Sequence, residues 1–353
     1  MGSVYGKILK LSLFGESHGN AVGAVLDGFP ANFKVKDDDI SIDLMRRSSS
    51  GKYGSGRRES DKLKITSGIN ENMTIGSPIS FLFENVDIKP SDYDEMKNIA
   101  RPGHGDYTSR IRYGANYSKS GGGHLSGRLT APLTAAGSLC KQYLETAYGL
   151  KYIIKVVEFG GERLKKPVDP TTEESGEINL LYEKTKIADD SFGAVLKIII
   201  NNVPPGLGSP IFGNVESRIS EILFGIPGLK GVSFGLGFDI AGIKGSEAND
   251  PFYIDKMGNI KTETNNSGGI LGGITNGMPL VINLAFKPTP TIRLPQRSVD
   301  LKDMKEIEFE GRGRHDVSYA LRVPPVVEGA VSIALLDMIL EKDGYKQTSS
   351  TPL

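Results

Sequence analysis

The segment ILKLSLFGESHG at residues 8–19 joins an alternating apolar and polar run to a turn that holds a serine and a histidine between glycines. Alternation with a period of two is typical of a β-strand with one buried face. Glycine permits sharp bends and lets a ligand approach the backbone closely. The segment therefore predicts a strand at Lys7–Phe14 that presents Ser17 and His18 to a ligand.

The chain has four histidines, and the other three also lie in loops rich in glycine and arginine. His104 lies in RPGHG, His124 follows three glycines, and His315 lies in GRGRHD. A histidine of the core would lie within an apolar periodic run, and none of the four does. Because histidine titrates near neutral pH, we predict proton chemistry next to an anion.

The 353 residues include 42 basic and 42 acidic side chains, which gives a formal net charge of zero. This balance argues against a surface that coats nucleic acid, but it allows a local basic pocket. The single cysteine, Cys140, excludes an intrachain disulfide and fits a reducing compartment. We see no signal peptide and no apolar run of membrane-spanning length, so we expect a cytoplasmic protein that does not bind membranes.

Predicted strands and helices do not alternate strictly, which disfavours a doubly wound parallel sheet. We predict an α+β fold with antiparallel sheets, in one domain over residues 1–341, with a polar and mobile tail over residues 342–353. The segment Lys165–Ile187 is polar and rich in turn residues, and we interpret it as an inserted excursion. The predicted helices are Asp37–Arg47, Ala131–Ala147, Asn214–Phe224 and Val326–Glu341. The predicted strands after Lys7–Phe14 are Gly23–Leu26, Lys62–Ile69, Ile79–Glu84, Tyr152–Phe159, Gly193–Asn201, Val232–Phe238 and Leu280–Phe286.

Several common motifs are missing from the sequence. There is no P-loop, no pair of Cys or His residues at zinc-finger spacing, and no serine-hydrolase elbow. The Gly-Leu-Gly segment at Gly235–Gly237 lacks the third glycine of a dinucleotide fingerprint. We therefore predict no metal site and no dinucleotide-binding unit.

Cationic residues concentrate instead in five loops bracketed by glycine or proline. Arginine is suited to bidentate capture of carboxylate or phosphate. Each loop alone would be an ordinary solvated face, but five together favour a pocket for a polyanion. The loops are Arg46–Arg58, Arg101–Gly105, Ser126–Arg128, Lys287–Thr291 and Arg312–Asp316.

Taken in order, these motifs resemble the signatures of the chorismate synthase family, and the matches extend from residue 5 to about residue 340. Long motifs in the correct order make the resemblance specific. The matching segments are Gly15–Gly19 with Val22–Pro30, Arg101–His104, Gly122–Thr130, Lys287–Thr289, Gly313–Asp316 and Val326–Gly329.

The resemblance implies that 5-enolpyruvylshikimate 3-phosphate loses phosphate and a C6 proton in a 1,4-anti elimination that gives chorismate. It implies a requirement for reduced FMN without net redox change. It also implies a β-α-β sandwich, with helices layered between antiparallel sheets, and a homotetramer. Some family members reduce their own flavin with NADPH. Because no added domain is visible here, we expect this chain to depend on an external flavin reductase or reductant.

The resemblance also assigns roles to individual residues. His18 corresponds to a histidine that protonates the reduced flavin near N1, His104 to an acid for the leaving phosphate, and Asp316 to an aspartate that works with flavin N5 in removing the C6 proton. The implied substrate contacts are Ser17, Arg46, Arg47, Lys52, Arg101, Ser126, Arg128 and Arg314. The implied flavin contacts are His124, Leu125, Ser126, Asn266, Ser267, Gly272, Lys287, Pro288, Thr289, Pro290, Thr291 and Arg314.

The sequence departs from the family pattern in three places, namely Lys52 for an arginine, His124-Leu125 for an Arg/Ser-like pair, and Gly127 for an alanine. Lys52 keeps the charge but loses the bidentate fork. Two other functions stay open from the residues alone. One is a non-catalytic protein that binds FMN or a phosphorylated metabolite, and the other is an RNA-binding protein that uses its Arg-Gly loops.

Overall fold

The computed structural model describes residues 2–48, 52–54, 62–85, 97–114, 122–311 and 316–344. Helices and strands follow one another irregularly in these ranges, and every strand pair is antiparallel. The prediction of an α+β fold with antiparallel sheets is confirmed. The helices are α1 Asp37–Arg47, α2 Asp106–Tyr113, α3 Thr130–Tyr148, α4 Gly176–Ile187, α5 Val215–Phe224, α6 Gly245–Ala248 and α7 Pro324–Gly344.

The first large sheet has five strands in the order β1-β2-β3-β7-β4. In β7 the side chains of Ile79, Phe81 and Phe83 are buried while their neighbours are more exposed, as expected for a strand with one face on the core. The turn at residues 15–19 connects β2 to β3, so the sheet fixes both ends of the turn. The strands are β1 Val4–Tyr5, β2 Lys10–Gly15, β3 Ala21–Asp27, β4 Leu63–Ser67 and β7 Ile79–Glu84.

The second large sheet also has five strands, in the order β11-β16-β10-β8-β9. Residues 287–291 follow directly after β16, which pairs with β10 on one side and β11 on the other. The strands are β8 Lys151–Phe159, β9 Glu162–Val168, β10 Ala194–Asn201, β11 Leu229–Phe234 and β16 Leu280–Phe286. Four two-stranded sheets are formed by β5 Ile69–Asn70 with β6 Met73–Thr74, β12 Phe252–Ile254 with β13 Ile260–Thr262, β14 Ile270–Leu271 with β15 Ile274–Thr275, and β17 Gln296–Asp300 with β18 Lys305–Phe309.

Helices α3 and α7 pack against each other in the core, and most of their side chains are buried. Helix α3 also contacts β3 and β7, whereas α7 contacts β8. The two backbones meet at glycines, because a Cβ atom on Gly137 would lie 2.3 Å from the Cα atom of Gly329. Despite this burial, no helix among the described residues is long and apolar enough to cross a membrane.

A buried ion network connects α1, α3 and α7. The Arg46 guanidinium donates to Asp43 at 2.8 Å, to Asp169 at 2.9 Å and to Glu328 at 2.9 Å. Lys141 donates to Asp43 and to Glu328, both at 2.8 Å. Every charged group in the network therefore has partners, as burial of charges requires.

Three sequence predictions need correction. Strand β11 ends at Phe234 and not at Phe238, because Gly235 and Gly237 have positive φ angles of 57° and 61°. The segment predicted as a turn-rich excursion contains most of β9 and all of α4. Helix α7 runs through Gly344, so the predicted tail begins with three helical residues, and residues 345–353 lie outside the described part.

Gly137→Ala should lower the free energy of unfolding by about 1–3 kcal/mol, because the new methyl group meets backbone atoms of α7 that have no room to move. Chemical denaturation measures this change. Gly176→Ala is the matched control, since a Cβ atom there meets nothing within 4 Å, and it should alter stability by less than about 0.5 kcal/mol. Equal effects of the two substitutions would contradict the close contact.

The buried network should make stability depend on pH. Burial raises the pKa of Glu328, but hydrogen bonds from Arg46 and the charges of Lys141 and Arg46 outweigh burial and hold the pKa below its ordinary value. A lowered carboxyl pKa stabilises the fold above the ordinary value, and this stabilisation disappears as the pH falls through the folded-state pKa. The free energy of unfolding should therefore fall between about pH 5 and pH 3. Glu328→Gln should show a shallower fall, and an unchanged pH slope in this variant would refute the assignment.

Candidate active site

The turn at residues 15–19 is held by one side chain that sequence reasoning missed. The Asn85 amide donates to the backbone oxygens of Glu16 at 3.0 Å and Gly19 at 2.8 Å. The backbone nitrogen of Ser17 donates to the oxygen of Gly123 at 3.2 Å. The turn that carries His18 is thus joined to the second glycine-rich loop. Asn85 has no sequence signal beyond its position directly after β7.

Asn85 also fixes Arg128. Its side-chain oxygen accepts from Arg128 Nε at 3.2 Å, and the Arg128 guanidinium lies over the Phe83 ring at 6.0 Å. The Ser126 hydroxyl accepts from the Arg128 backbone nitrogen at 3.2 Å and caps the short 3₁₀ turn before α3. Ser126 and Arg128 therefore lie beside the Ser17-His18 turn, although their separation in sequence exceeds one hundred residues.

The departure His124-Leu125 lies at the same junction. His124 is within hydrogen-bonding distance of the Ser3 hydroxyl at 3.2 Å and of the Gly15 oxygen at 3.5 Å. Leu125 reaches the loop of His104, since a Cβ atom on Gly105 would lie 2.6 Å from its Cδ1 atom. His124 thus supports the backbone of the turn in this chain.

The loop of His104 meets the segment after β16. His104 Nε2 and Thr291 Oγ1 are 2.7 Å apart, and Lys287 donates to the oxygen of Gly103 at 2.5 Å. The guanidinium of Arg101 donates to both oxygens of Asp106, at 2.8 and 2.7 Å, which fixes the loop at the start of α2. The predicted acid and the predicted flavin segment therefore form one structure.

Lys287 is the partly buried cation of this segment. Burial, followed by the charge of Lys230, lowers the pKa of Lys287. A nearby anion would favour the charged form and offset this cost. Pro288 and Pro290 restrict the backbone of the same segment. Thr289 joins it to the C-terminal loop, because its hydroxyl accepts from the backbone nitrogen of Tyr319 at 3.2 Å.

Asp316 lies on that C-terminal loop. Arg322 donates to its Oδ2 atom through Nη2 at 2.7 Å and through Nε at 3.1 Å. Burial, followed by the negative charge of Asp316, raises the pKa of Tyr182 in α4 to about 12. Tyr182 is therefore close enough to Asp316 to respond to its charge, and it is neutral at ordinary pH. We did not identify it from the sequence, because α4 was not predicted.

The two arginines that end α1 have different surroundings. Arg47 is buried and donates to the Thr130 hydroxyl at 3.2 Å, while its backbone oxygen accepts from Arg322 at 3.2 Å. Arg46 belongs to the buried network, and all three of its guanidinium nitrogens donate to protein oxygens. Lys52 is half-exposed and pairs with Glu174 at 3.0 Å. Among Arg46, Arg47 and Lys52, all predicted to contact the substrate, Arg47 is the one that joins two of the loops described above.

The remaining predicted flavin contacts lie elsewhere in the chain. The backbone nitrogens of Asn266 and Ser267 donate to Asp250, and the nearby Gly268 bonds to Val281 at the start of β16. Lys287 follows the other end of this strand, so the two groups are separated by about 20 Å at the usual rise per strand residue. Gly272 follows β14 and has open space around its Cα atom. The predicted contact Arg314 and the adjacent His315 lie outside the described residues.

Four buried oxygens of the loops joined above accept or donate no hydrogen bond within the described part of the chain. They are Ser17 Oγ, Asp316 Oδ1, Ser318 Oγ and Tyr319 OH. An unsatisfied buried polar atom costs about 1–3 kcal/mol, so native proteins rarely keep several together without a functional reason. Among the same described residues, no cluster of His, Cys, Asp and Glu could hold a metal ion. The arrangement is suited to proton transfer beside a bound polyanion.

Histidines next to cationic loops and an oriented carboxylate define an enzyme site for an anionic metabolite. Comparison with known proteins identifies the family. The family model described as chorismate synthase matches residues 9–340. The chorismate synthase of Pyrococcus abyssi is 42% identical over 356 residues, covering 98% of this chain and 99% of that protein. The enzyme of Thermococcus kodakarensis is 42% identical over 351 residues, covering 97% and 98%.

A solved structure gives the same result. The crystal structure of a chorismate synthase superposes with a TM-score of 0.70 at 29% sequence identity, covering 96% of this chain and 93% of that chain. The chain belongs to the chorismate synthase family. Its reaction is the 1,4-anti elimination of phosphate from 5-enolpyruvylshikimate 3-phosphate to give chorismate, a carbon–oxygen lyase step in aromatic amino acid biosynthesis.

Asn85→Ala should lower turnover by about 10-fold to 100-fold, because the turn of His18 and the side chain of Arg128 lose their common anchor. Steady-state kinetics measures the loss. Asn259→Ala is the matched control, since the Asn259 amide bonds to Asp255 in an exposed turn between β12 and β13. Wild-type kinetics in Asn85→Ala would show that the anchor is dispensable.

Proposed function

We propose that the joined loops bind the substrate together with reduced FMN, and that His18, His104 and Asp316 act in the reaction. The hydrogen bond between His104 and Thr291 is the observation that carries this proposal. It connects the predicted acid for the leaving phosphate with the segment predicted to hold the flavin. The unsatisfied oxygens of Ser17 and Asp316 support the same placement of ligands.

The residues fit the chemistry of FMN. Lys287, Thr289 and Thr291 offer one cation and two hydroxyl groups to a phosphate, on a segment restricted by two prolines. A phosphate bound here would offset the burial and the charge of Lys230 that lower the pKa of Lys287. Reduced flavin, when bound, supplies electron density that assists the elimination. Asn266, Ser267, Gly272 and Arg314 stay predictions for the same cofactor.

The side chains of the site bind the anionic groups of the substrate and transfer protons. Arg47, Arg101 and Arg128 bind and orient the phosphate and carboxylates, and they act more strongly where water is excluded. His104 donates a proton as the phosphate leaves with the electron pair of its C–O bond. Asp316 acts with the bound flavin in taking up the proton released from C6, whose C–H electron pair enters the ring. His18 keeps a proton available at the bound flavin. Arg46 has no substrate role in this proposal, because its nitrogens are engaged in the buried network.

The assembly and surroundings of the enzyme are part of the proposal. We propose one domain in which α3 and α7 form the middle layer of a β-α-β sandwich, since α3 contacts the first sheet and α7 contacts the second. We also propose a cytoplasmic homotetramer. Its reduced FMN would come from an external reductase or reductant, because no dinucleotide fingerprint is present.

Anaerobic turnover with chemically reduced FMN tests the proposal. Chorismate and phosphate should appear in equal amounts and only with the reduced cofactor. His18→Ala and Asp316→Asn should each lose about 100-fold to 10,000-fold in turnover, since each removes a proton-transfer group. Arg297→Ala is the control, because this arginine makes an exposed ion pair with Glu306 on the β17–β18 hairpin.

Two results would contradict parts of the proposal. Full turnover in both site variants would remove the assigned roles, whereas tight FMN binding without product would favour a binding protein. Aerobic turnover with NADPH and FMN alone would show that the enzyme reduces its own flavin.

A further inference from the structure

The ion pair between Arg322 and Asp316 distinguishes the two oxygens of the carboxylate. Both Arg322 contacts, from Nη2 at 2.7 Å and from Nε at 3.1 Å, go to Oδ2. The other oxygen, Oδ1, is buried and accepts no hydrogen bond among the residues that the structure describes. A guanidinium that only stabilised the fold would gain more from the bidentate arrangement, with one N–H group on each oxygen, as Arg101 has with Asp106.

Arg322 is itself restrained on two further sides. Its Nη1 atom donates to the backbone oxygen of Arg47 at 3.2 Å, and its guanidinium lies over the Tyr319 ring at 4.8 Å. The side chains of Arg322 and Asp316 are only 15% and 10% exposed. A planar guanidinium held at three places is preorganised, so it fixes the rotation of the carboxylate that it binds.

We propose that Arg322 is a positioning residue for the elimination, which holds Oδ2 and leaves Oδ1 as the oxygen that takes up the C6 proton. This inference rests on the role proposed above for Asp316. The C6–H bond breaks, its electron pair enters the ring, and the proton passes to the carboxylate. Uptake at Oδ1 breaks no hydrogen bond, whereas uptake at Oδ2 would displace two N–H donors.

The surroundings of Asp316 agree with this division of roles. Tyr182 is neutral, because burial and the charge of Asp316 raise its pKa to about 12, so it brings no competing charge. Arg322 also lies at the end of a short 3₁₀ turn that leads into α7, with Ala320 and Leu321 buried beside it. The orienting group is thus attached to the core, while the reacting oxygen belongs to the loop.

Arg322→Ala should lower kcat by about 100-fold with little change in the KM for the substrate, because orientation is lost and substrate contacts remain. With substrate deuterated at C6, the isotope effect on kcat should increase, since proton removal becomes slower relative to other steps. Arg322→Lys should recover part of the rate, because lysine restores a cation but not the two-donor fork. Added guanidinium should also accelerate Arg322→Ala. An unchanged isotope effect together with a raised KM would overturn the proposal.

A double variant separates this inference from the role of Asp316. If Arg322 acts through Asp316, Arg322→Ala should slow the Asp316→Asn enzyme by less than about 3-fold, far less than it slows the wild type. The same loss in both backgrounds would overturn the inference while leaving the role of Asp316 intact. Full activity of Asp316→Asn alone would instead remove the role of Asp316, and with it this inference.

Two measurements test whether the variants are folded and whether they still bind the substrate. Thermal denaturation should show that the variants are folded at the assay temperature, and Arg322→Gln replaces Arg322→Ala if the smaller side chain prevents folding. Calorimetric titration with substrate, without turnover, should give a Kd within about 3-fold of wild type for each variant, because differences this small leave binding essentially intact. A loss of substrate binding in Arg322→Lys and Arg322→Gln would assign Arg322 to binding and overturn the positioning role.

Discussion

The backbone contact between Gly137 of α3 and Gly329 of α7 sets the geometry on which the site depends. Gly137 lies seven residues after the start of α3, and Gly329 lies five residues after the start of α7. At the usual helical rise, both N-terminal ends are about 10 Å or less from the crossing. The loops that precede the two helices meet nearby, since a Cβ atom on Gly127 would lie 3.5 Å from the Tyr319 ring. One loop carries Ser126 and Arg128, and the other carries Asp316 and Arg322.

Single side chains then join these loops in pairs. Asn85 connects the turn of His18 with Arg128, and Arg47 connects Thr130 with Arg322. Thr289 connects the segment after β16 with Tyr319. A substrate with several anionic groups needs cations from several directions, and a single loop cannot supply them. Joining rigid loops by hydrogen bonds holds these cations in place before the ligand arrives, which is the condition for electrostatic catalysis.

Local signals in the sequence were sufficient for much of the fold. The bounds of α1 and β16 were predicted correctly, and Asn214 caps α5 as expected, with its side chain accepting from Ser217. Helix α4 was missed because its apolar residues do not follow one face. Leu180 and Ile187 are exposed, whereas Ile178 and Tyr182 are buried. The Ser175 N-cap was the signal available in the sequence. Because α4 was missed, Tyr182 was not identified as a residue near Asp316.

The chemistry of the site was less predictable, because neighbours in sequence diverge in space. Arg46 and Arg47 are adjacent, but successive residues of an α-helix point about 100° apart. Arg47 therefore reaches Thr130, while Arg46 enters the network with Asp43, Asp169 and Glu328. Motif matching cannot separate two such arginines, since both carry the same charge and both end the same helix.

The Arg46 network has a consequence for the site even without a ligand contact. Buried ion networks often contribute little net stability, but they restrict how the elements that carry them can pack. Here the network fixes the end of α1 against α3 and α7. The side chain of the next residue, Arg47, donates a hydrogen bond to Thr130, and its backbone oxygen accepts one from Arg322. Because Arg322 donates to Asp316, a shift of α1 would move the carboxylate, so a network outside the pocket helps to determine where the proposed proton acceptor lies.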